Sequence, residues 1–185
     1  MSDSARHSAT GRAIFAGGCF WCMVPPFEKL DGVLSVTAGF DGGTSPAPTY
    51  SQVCSGATEY AEAVEVVFAP HIISYQELLQ IFWKNIDPTD GKGQFADRGR
   101  QYRTAIFYLN DEQRQQAEAS RAVLDASGTF DRPVVTEVVP STTFYPAEDY
   151  HQDYHRKAPL HYQSYRQLSG RGPFLERQWN RNIDK

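Results

Sequence analysis

The sequence contains no apolar run long enough to cross a bilayer and no run of basic residues. A membrane-spanning helix needs roughly 20 apolar residues, and residues 1–12 also lack the apolar centre of a signal peptide. The net charge of -4 argues against a nucleic-acid surface. We therefore expect a cytoplasmic protein that binds neither a membrane nor a nucleic acid. The net charge alone favours no class of partner.

Cysteine is also scarce, with three residues, Cys19, Cys22 and Cys54, in a chain of 185. So few cysteines exclude a disulfide framework, and an odd number in a reducing compartment indicates catalysis or chance. The length is sufficient for a sizeable core, and no repeat or linker divides the chain. We expect a single domain over residues 1–185, with a motif-bearing core at about 13–165 and an irregular tail at 166–185.

The spacing of apolar residues predicts alternating strands and helices. Helices are expected after Cys19, from the capping box at Ser74 to about Asn85, and from Asp111 to about Ala126. Strands are expected at 13–16, 33–40, 62–68, 104–109 and 134–139. This order favours an α+β fold, a two-layer sandwich with a ferredoxin-like core, a mixed sheet and a long irregular C-terminal segment. Pro25 and Pro26 should kink the first helix or mark its start.

The stretch from Gly17 to Cys22 carries the strongest chemical signal. Paired glycines allow a sharp turn after a buried strand, and a helix beginning at Cys19 would hold its sulfur at the positive helix end. The pKa of Cys19 should then fall below its usual value of about 8.5, which predicts a nucleophile. Phe20 and Trp21 predict a small apolar substrate group. The alternative is a buried structural cysteine in an aromatic core.

Cys22 follows Cys19 by three residues, which is the spacing of a redox pair. On a helical turn the two Cα atoms would be about 5–6 Å apart, within the range that a disulfide accepts. A sulfenic acid could therefore be exchanged for a disulfide. The same spacing is half of a zinc site, with Cys54 and one histidine as further ligands, but no second paired motif supports it.

Polar residues on the predicted loops and strands supply further candidates. Glu62, at the start of a strand, could have a raised pKa and act as a general acid, and Asp97 lies in a long polar loop. Tyr50 and Tyr102 could donate hydrogen bonds to a negative oxygen. For each, the alternative is an ordinary surface or core residue. His151 and His155 lack the zinc-protease pattern and are interpreted as structural.

Five motifs together resemble the peptide methionine sulfoxide reductase A family, in the same order along about 13–165. They are Gly18-Cys19-Phe20-Trp21, Pro48-Thr49-Tyr50, Val53-Cys54-Ser55-Gly56 followed by Ala61-Glu62, Gln101-Tyr102-Arg103 followed by Ala105-Ile106-Phe107-Tyr108, and Ala147-Glu148-Asp149-Tyr150-His151-Gln152. Where many members have Gly-His-Ala-Glu, this chain has Glu59-Tyr60-Ala61-Glu62, which adds a charge and an aromatic ring beside the predicted acid.

The resemblance implies repair of oxidised methionine, in which the S epimer of methionine sulfoxide is reduced and Cys19 becomes a sulfenic acid. Glu62 would protonate the sulfoxide oxygen, and Asp97 resembles the acidic residue that completes the site. Tyr50 and Tyr102 would hydrogen-bond that oxygen. Phe20 and Trp21 would hold the S-methyl group. No metal or organic cofactor is implied.

The resolving thiol remains open because this chain lacks the C-terminal recycling cysteines of many family members. We favour Cys22, with Cys54 or an external thiol as alternatives, and expect a monomer recycled by thioredoxin. Two other functions compete with this interpretation. One is a general thiol-disulfide oxidoreductase using Cys19 and Cys22, and the other is a zinc-stabilised binding module.

Overall fold

A six-stranded sheet lies at the centre of the protein, for which we describe residues 9–180 of a computed structural model. Its strands are β1 (Gly11–Gly17), β2 (Val33–Asp41), β3 (Ala61–Phe68), β6 (Thr104–Tyr108), β7 (Glu137–Pro140) and β8 (Tyr145–Pro146). A separate hairpin contains β4 (Gly93–Gln94) and β5 (Asp97–Arg98). The sheet order is β7-β6-β1-β3-β2-β8, and only the β6–β7 pair is parallel. The sheet is therefore mixed, as predicted.

The four inner strands have the ferredoxin-like order. Taken along the chain as first to fourth, β1, β2, β3 and β6 are arranged fourth-first-third-second, and neighbouring strands are antiparallel. Helices connect the first strand to the second and the third to the fourth, which completes the βαββαβ unit. The short strands β7 and β8 extend the two edges. The α+β class and the ferredoxin-like core are confirmed.

The helices are α1 (Phe20–Glu28), α2 (Tyr50–Cys54), α3 (Tyr75–Trp83), α4 (Asp111–Ala126), α5 (Tyr154–Lys157), α6 (Pro159–Leu168) and α7 (Arg171–Asn180). The capping box at Ser74 is present, with reciprocal hydrogen bonds to Glu77. The helix α4 begins at Asp111, as predicted, and its N-cap is Asn110. None of the helices within residues 9–180 is both long and apolar enough to span a bilayer.

The main core lies between the sheet and the helices α1, α3 and α4. Alternation along β1 places Phe15 on the helix-covered face, where its ring stacks on Phe27 of α1 at 5.2 Å and on Phe82 of α3 at 5.1 Å. Ile14 and Ala16 belong to a smaller cluster on the opposite face. This packing fixes the end of β1, from which the Cys19 turn begins.

One local prediction is wrong, and one of two alternatives is excluded. The tail expected to be irregular at 166–185 is helical over most of its described part, where it contains the end of α6 and the whole of α7; residues 181–185 lie outside the described residues. Pro25 and Pro26 do not mark the start of α1, because the helix begins at Phe20 and contains both. Their missing amides leave two i to i−4 hydrogen bonds unmade inside an otherwise buried helix.

Candidate active site

The turn between β1 and α1 presents Cys19 as the N-cap residue of α1, as the sequence predicts. Gly18 has a φ of +85°, a conformation that favours glycine. A Cβ on Gly17 would lie 2.7 Å from the Met23 side chain, and one on Gly18 would lie 2.6 Å from Gln94. Both glycines are therefore required for the close packing that positions the Cys19 sulfur.

Cys19 and Cys22 form a buried pair of free thiols one helical turn apart. Burial raises the pKa of Cys19, and its hydrogen bond to Cys22 raises it further. The same hydrogen bond lowers the pKa of Cys22 to about 7. The predicted fall in the Cys19 pKa is therefore wrong, because burial outweighs the effect of the helix terminus and the pair places negative charge on Cys22.

Glu62, at the start of β3, faces the same helix terminus. Its side chain is 1% exposed, and Oε2 accepts a hydrogen bond of 3.0 Å from the Phe20 amide. Burial raises the pKa of Glu62 to about 8, and the nearby Asp97 charge also raises it. The carboxyl group is therefore protonated at neutral pH, the state that a general acid needs. The neighbouring Tyr60 hydroxyl donates to the Ser45 carbonyl.

Cys54 contacts the other oxygen of Glu62, and Tyr50 and Tyr102 contact Cys54. The Cys54 thiol donates to Glu62 Oε1 at 3.9 Å and lies 3.7 Å from the Tyr102 hydroxyl oxygen. Tyr50 also hydrogen-bonds the Cys54 thiol, and burial raises the pKa of both tyrosines. The two phenols therefore stay protonated and can donate hydrogen bonds to an oxygen beside Glu62.

Aromatic rings pack together around Phe20 and Trp21, the two residues that follow Cys19. Phe20 is buried beneath the ring of Tyr50, with centroids 6.3 Å apart. Trp21 stacks on Tyr154 at 3.8 Å with an interplanar angle of 8°. The Trp21 indole N–H donates to His151 Nδ1 at 3.2 Å, so the ring proton of this neutral histidine is assigned to Nε2. That atom is buried and has no hydrogen-bond partner among the described residues.

Asp97 lies on the hairpin of β4 and β5. Its Oδ2 accepts a hydrogen bond from the Tyr165 hydroxyl on α6, and burial raises the pKa of Asp97. The loop that holds Asp97 is fixed by buried Gln94, whose side chain accepts from the Asp87 amide at 2.8 Å and donates to the Asp87 carbonyl at 2.8 Å. The structure thus brings together all the acidic and aromatic residues predicted for the site.

The zinc alternative has no support in this geometry. Within residues 9–180, no group of three or more histidine, cysteine, aspartate or glutamate side chains is placed to hold a metal ion. His155 pairs with Glu28 at 3.0 Å, and His151 is occupied with Trp21. The prediction that His155 is structural agrees with this contact.

Sequence reasoning missed the residues that the C-terminal segment contributes. Tyr154 and Tyr165 contact Trp21, and Arg171 hydrogen-bonds the Gly17 carbonyl at 2.6 Å. His151, for which the sequence predicts a structural role, packs against Phe20 and Trp21. The only sequence signal was the concentration of tyrosine and histidine at 144–165, which lacks the periodicity that would assign each residue to a face.

A family model described as peptide methionine sulfoxide reductase matches residues 11–183. The chain is 53% identical over 168 residues to a protein named peptide methionine sulfoxide reductase MsrA from Listeria innocua, covering 91% of this chain and 95% of the relative. It is 55% identical over 169 residues to the protein of the same name from Streptococcus agalactiae, covering 91% and 99%. Reduced Mxr1 from Saccharomyces cerevisiae is a similar solved structure, with a TM-score of 0.76 and 30% identity over 81% of this chain and 86% of that chain. With these matches over nearly its whole length, the chain belongs to the peptide methionine sulfoxide reductase family of oxidoreductases.

Proposed function

We propose that this chain reduces the S epimer of methionine sulfoxide, free or within proteins, with Cys19 as the nucleophile and Glu62 as the general acid. The main support for the proposal is that a cysteine and a protonated carboxyl group lie at the same helix terminus. The Phe20 amide joins the two, since it follows Cys19 and donates to Glu62 at 3.0 Å. Aromatic rings lie beside them and would suit an S-methyl group.

In the first step Cys19 attacks the sulfoxide sulfur. Cys19 releases its proton to solvent and attacks as the thiolate. Glu62 gives its proton to the sulfoxide oxygen, and the Tyr50 and Tyr102 hydroxyls donate hydrogen bonds to it. Overall the sulfoxide is reduced to methionine and Cys19 is oxidised to a sulfenic acid.

In the second step Cys22 resolves the sulfenic acid. Its thiolate attacks the Cys19 sulfur, the S–S bond forms, the S–O bond breaks, and the oxygen leaves as water after protonation. The hydrogen bond between the Cys19 and Cys22 side chains favours this assignment. Cys54 is instead hydrogen-bonded to Glu62 and Tyr102, the residues that would bind the sulfoxide oxygen.

Different residues of the site would contact different parts of the substrate. Phe20 and Trp21 hold the methyl group, and the unpartnered His151 Nε2–H is available to donate to a polar atom of the bound substrate. Asp97, held by Tyr165, completes the acidic side of the site. No step in this sequence requires a metal or an organic cofactor.

Thioredoxin is the reductant that we propose for the Cys19–Cys22 disulfide. The yeast relative Mxr1 has been solved in complex with Trx2, which supports this choice. We further propose that residues 1–185 act as one domain and as a monomer in the cytoplasm, with no membrane or nucleic-acid partner. General thiol-disulfide exchange is the alternative activity of the same pair.

Reduction of a methionine sulfoxide peptide, resolved by epimer, tests the proposal with dithiothreitol and separately with thioredoxin. We expect Cys19→Ser to lose all activity and Cys22→Ser to lose only thioredoxin-driven turnover. Cys54→Ser is the matched thiol control and should still form the Cys19–Cys22 disulfide, detectable by peptide mapping. Inactivity of the wild type towards both epimers would overturn the activity, and a Cys19–Cys54 disulfide would transfer the resolving role to Cys54.

A disulfide-exchange assay separates the alternative activity. A general oxidoreductase should reduce protein disulfides equally well in wild type and Glu62→Gln, because that reaction has no sulfoxide oxygen to protonate. The proposed reductase should instead lose sulfoxide reduction in Glu62→Gln. Disulfide reduction by both proteins, with no sulfoxide reduction by either, would favour the oxidoreductase.

A further inference from the structure

Arg171, at the start of α7, is a buried cation. Its side chain is 2% exposed, and the guanidinium donates to the carbonyls of Gly17 at 2.6 Å and Asn85 at 2.5 Å. It also lies 4.8 Å from the centre of the Phe95 ring. Arginine is almost never fully buried unless paired, yet none of the ion pairs within residues 9–180 includes Arg171. The charge also lowers the pKa of Asp97, so it acts on the groups of the site.

The guanidinium touches the chain on both sides of the cysteine pair. Nη2 bonds the Gly17 carbonyl, and a Cβ on Gly18 would lie 2.7 Å from the same nitrogen. Nη1 lies 3.7 Å from the sulfur of Met23, the residue after Cys22. A positive charge from the C-terminal helix is therefore fixed directly behind the Cys19 turn, where exclusion of water strengthens its field.

The groups that face Cys22 are of both signs. Arg171 and Arg166 lower the pKa of Cys22, whereas Asp97 raises it. The other titratable groups around Cys22 are Cys19, Glu62, Tyr162 and Tyr165. Of the two arginines, Arg171 is the more buried and the only one that hydrogen-bonds the turn itself.

We propose that Arg171 is a positioning residue that stabilises the Cys22 thiolate for the resolving step and for the release of that thiolate when the disulfide is reduced. This inference rests on the proposed function. In the resolving step the Cys22 sulfur is oxidised and the Cys19 sulfenic sulfur is reduced, as the S–S bond replaces the S–O bond and water leaves. Only the thiolate of Cys22 can attack, so a fixed cation beside it increases the reactive fraction.

Two substitutions distinguish charge from hydrogen bonding. Arg171→Gln keeps a donor for the Gly17 carbonyl but removes the charge, whereas Arg171→Lys keeps the charge on a single donor group. Arg177→Gln is the matched control, because Arg177 lies on the same helix and is exposed. The thiolate absorbance of Cys22 is titrated in a Cys19→Ser, Cys54→Ser background, where one thiol remains.

We expect Arg171→Gln to raise the pKa of Cys22 by about one unit or more, and Arg171→Lys and Arg177→Gln to change it much less. In the chain with all three cysteines, disulfide formation after one turnover of methionine sulfoxide should slow about fivefold or more at pH 7 in Arg171→Gln and recover at pH 9. A merely structural role would slow the step equally at both pH values.

An unchanged Cys22 pKa and pH profile in a folded Arg171→Gln would overturn the inference. If that variant does not fold, Arg171→Lys decides, since a tenfold slower resolving step with the charge retained would also overturn it. Failure of the proposed function has a different signature. Wild-type protein would then reduce no methionine sulfoxide, or Cys22→Ser would keep thioredoxin-driven turnover.

Discussion

Replacing Glu62 with glutamine should make the protein more stable at high pH. Burial raises the pKa of Glu62 from 4.5 to about 8, so the folded state binds this proton more tightly than the unfolded state. The resulting stabilisation is complete below pH 4.5 and is lost as the pH rises through about 8. At about 1.4 kcal/mol for each pKa unit, ionisation of Glu62 lowers the free energy of unfolding by about 5 kcal/mol at most.

Urea unfolding under reducing conditions, at pH 5 and pH 9, measures this effect. Glutamine is uncharged at both pH values, so Glu62→Gln should be close to wild type at pH 5 and several kcal/mol more stable at pH 9. Glu118→Gln, the same change on an exposed position of α4, is the control and should show no such difference. If the difference in the free energy of unfolding between wild type and Glu62→Gln is the same at both pH values, the inference that Glu62 is buried in its protonated form is refuted.

Glu62→Gln should also lose most of the sulfoxide reductase activity. A general acid contributes roughly 10²- to 10⁴-fold to rate, so single-turnover sulfoxide reduction in Glu62→Gln should fall by that order. Wild-type reduction should decline above about pH 8, where Glu62 loses its proton. A variant within tenfold of wild type would show that another group protonates the oxygen.

Three further substitutions test the turn, the pocket wall and the loop. Gly18→Ala should destabilise the fold by about 2 kcal/mol or more in urea unfolding, because of its positive φ and the contact with Gln94. Trp21→Ala should raise KM for a methionine sulfoxide peptide about tenfold in steady-state kinetics, because it removes the Tyr154 stack. Gln94→Leu should lower the free energy of unfolding by roughly 2–3 kcal/mol, read from thermal unfolding, since it leaves the Asp87 backbone groups unpaired.

The inner sheet could be predicted because its strands carry local signals. The apolar run that contains Phe15 is buried on both faces, and the capping box at Ser74 fixes the start of a helix that ends at Trp83. Strand and helix order then restricts the topology to few alternatives, among them the ferredoxin-like arrangement. The edge strand expected at 134–139 instead spans Glu137–Pro140, because its start depends on pairing with β6 rather than on its own pattern.

The ionisation of the cysteines could not be predicted in the same way. The sequence correctly indicates that Cys19 stands at a helix N-terminus, where the dipole favours a thiolate. It does not reveal that the sulfur is buried, that Cys22 shares its proton, or that Glu62 lies beside it. These three effects oppose the dipole and depend on residues brought together only by folding, so the sign of the pKa change follows from tertiary structure.

The C-terminal segment shows why pattern alone mistook a functional region for an irregular tail. Its helices are short and bury few apolar residues, so the periodicity that marks α3 is weak here. What holds α6 and α7 is polar or aromatic contact with the site: Tyr165 with Asp97, and Arg171 with the Gly17 carbonyl. Such contacts pair residues far apart in sequence and have no spacing rule. A segment that packs on an active site through its polar groups is therefore recognised from structure, and here it supplies the charge behind the cysteine pair.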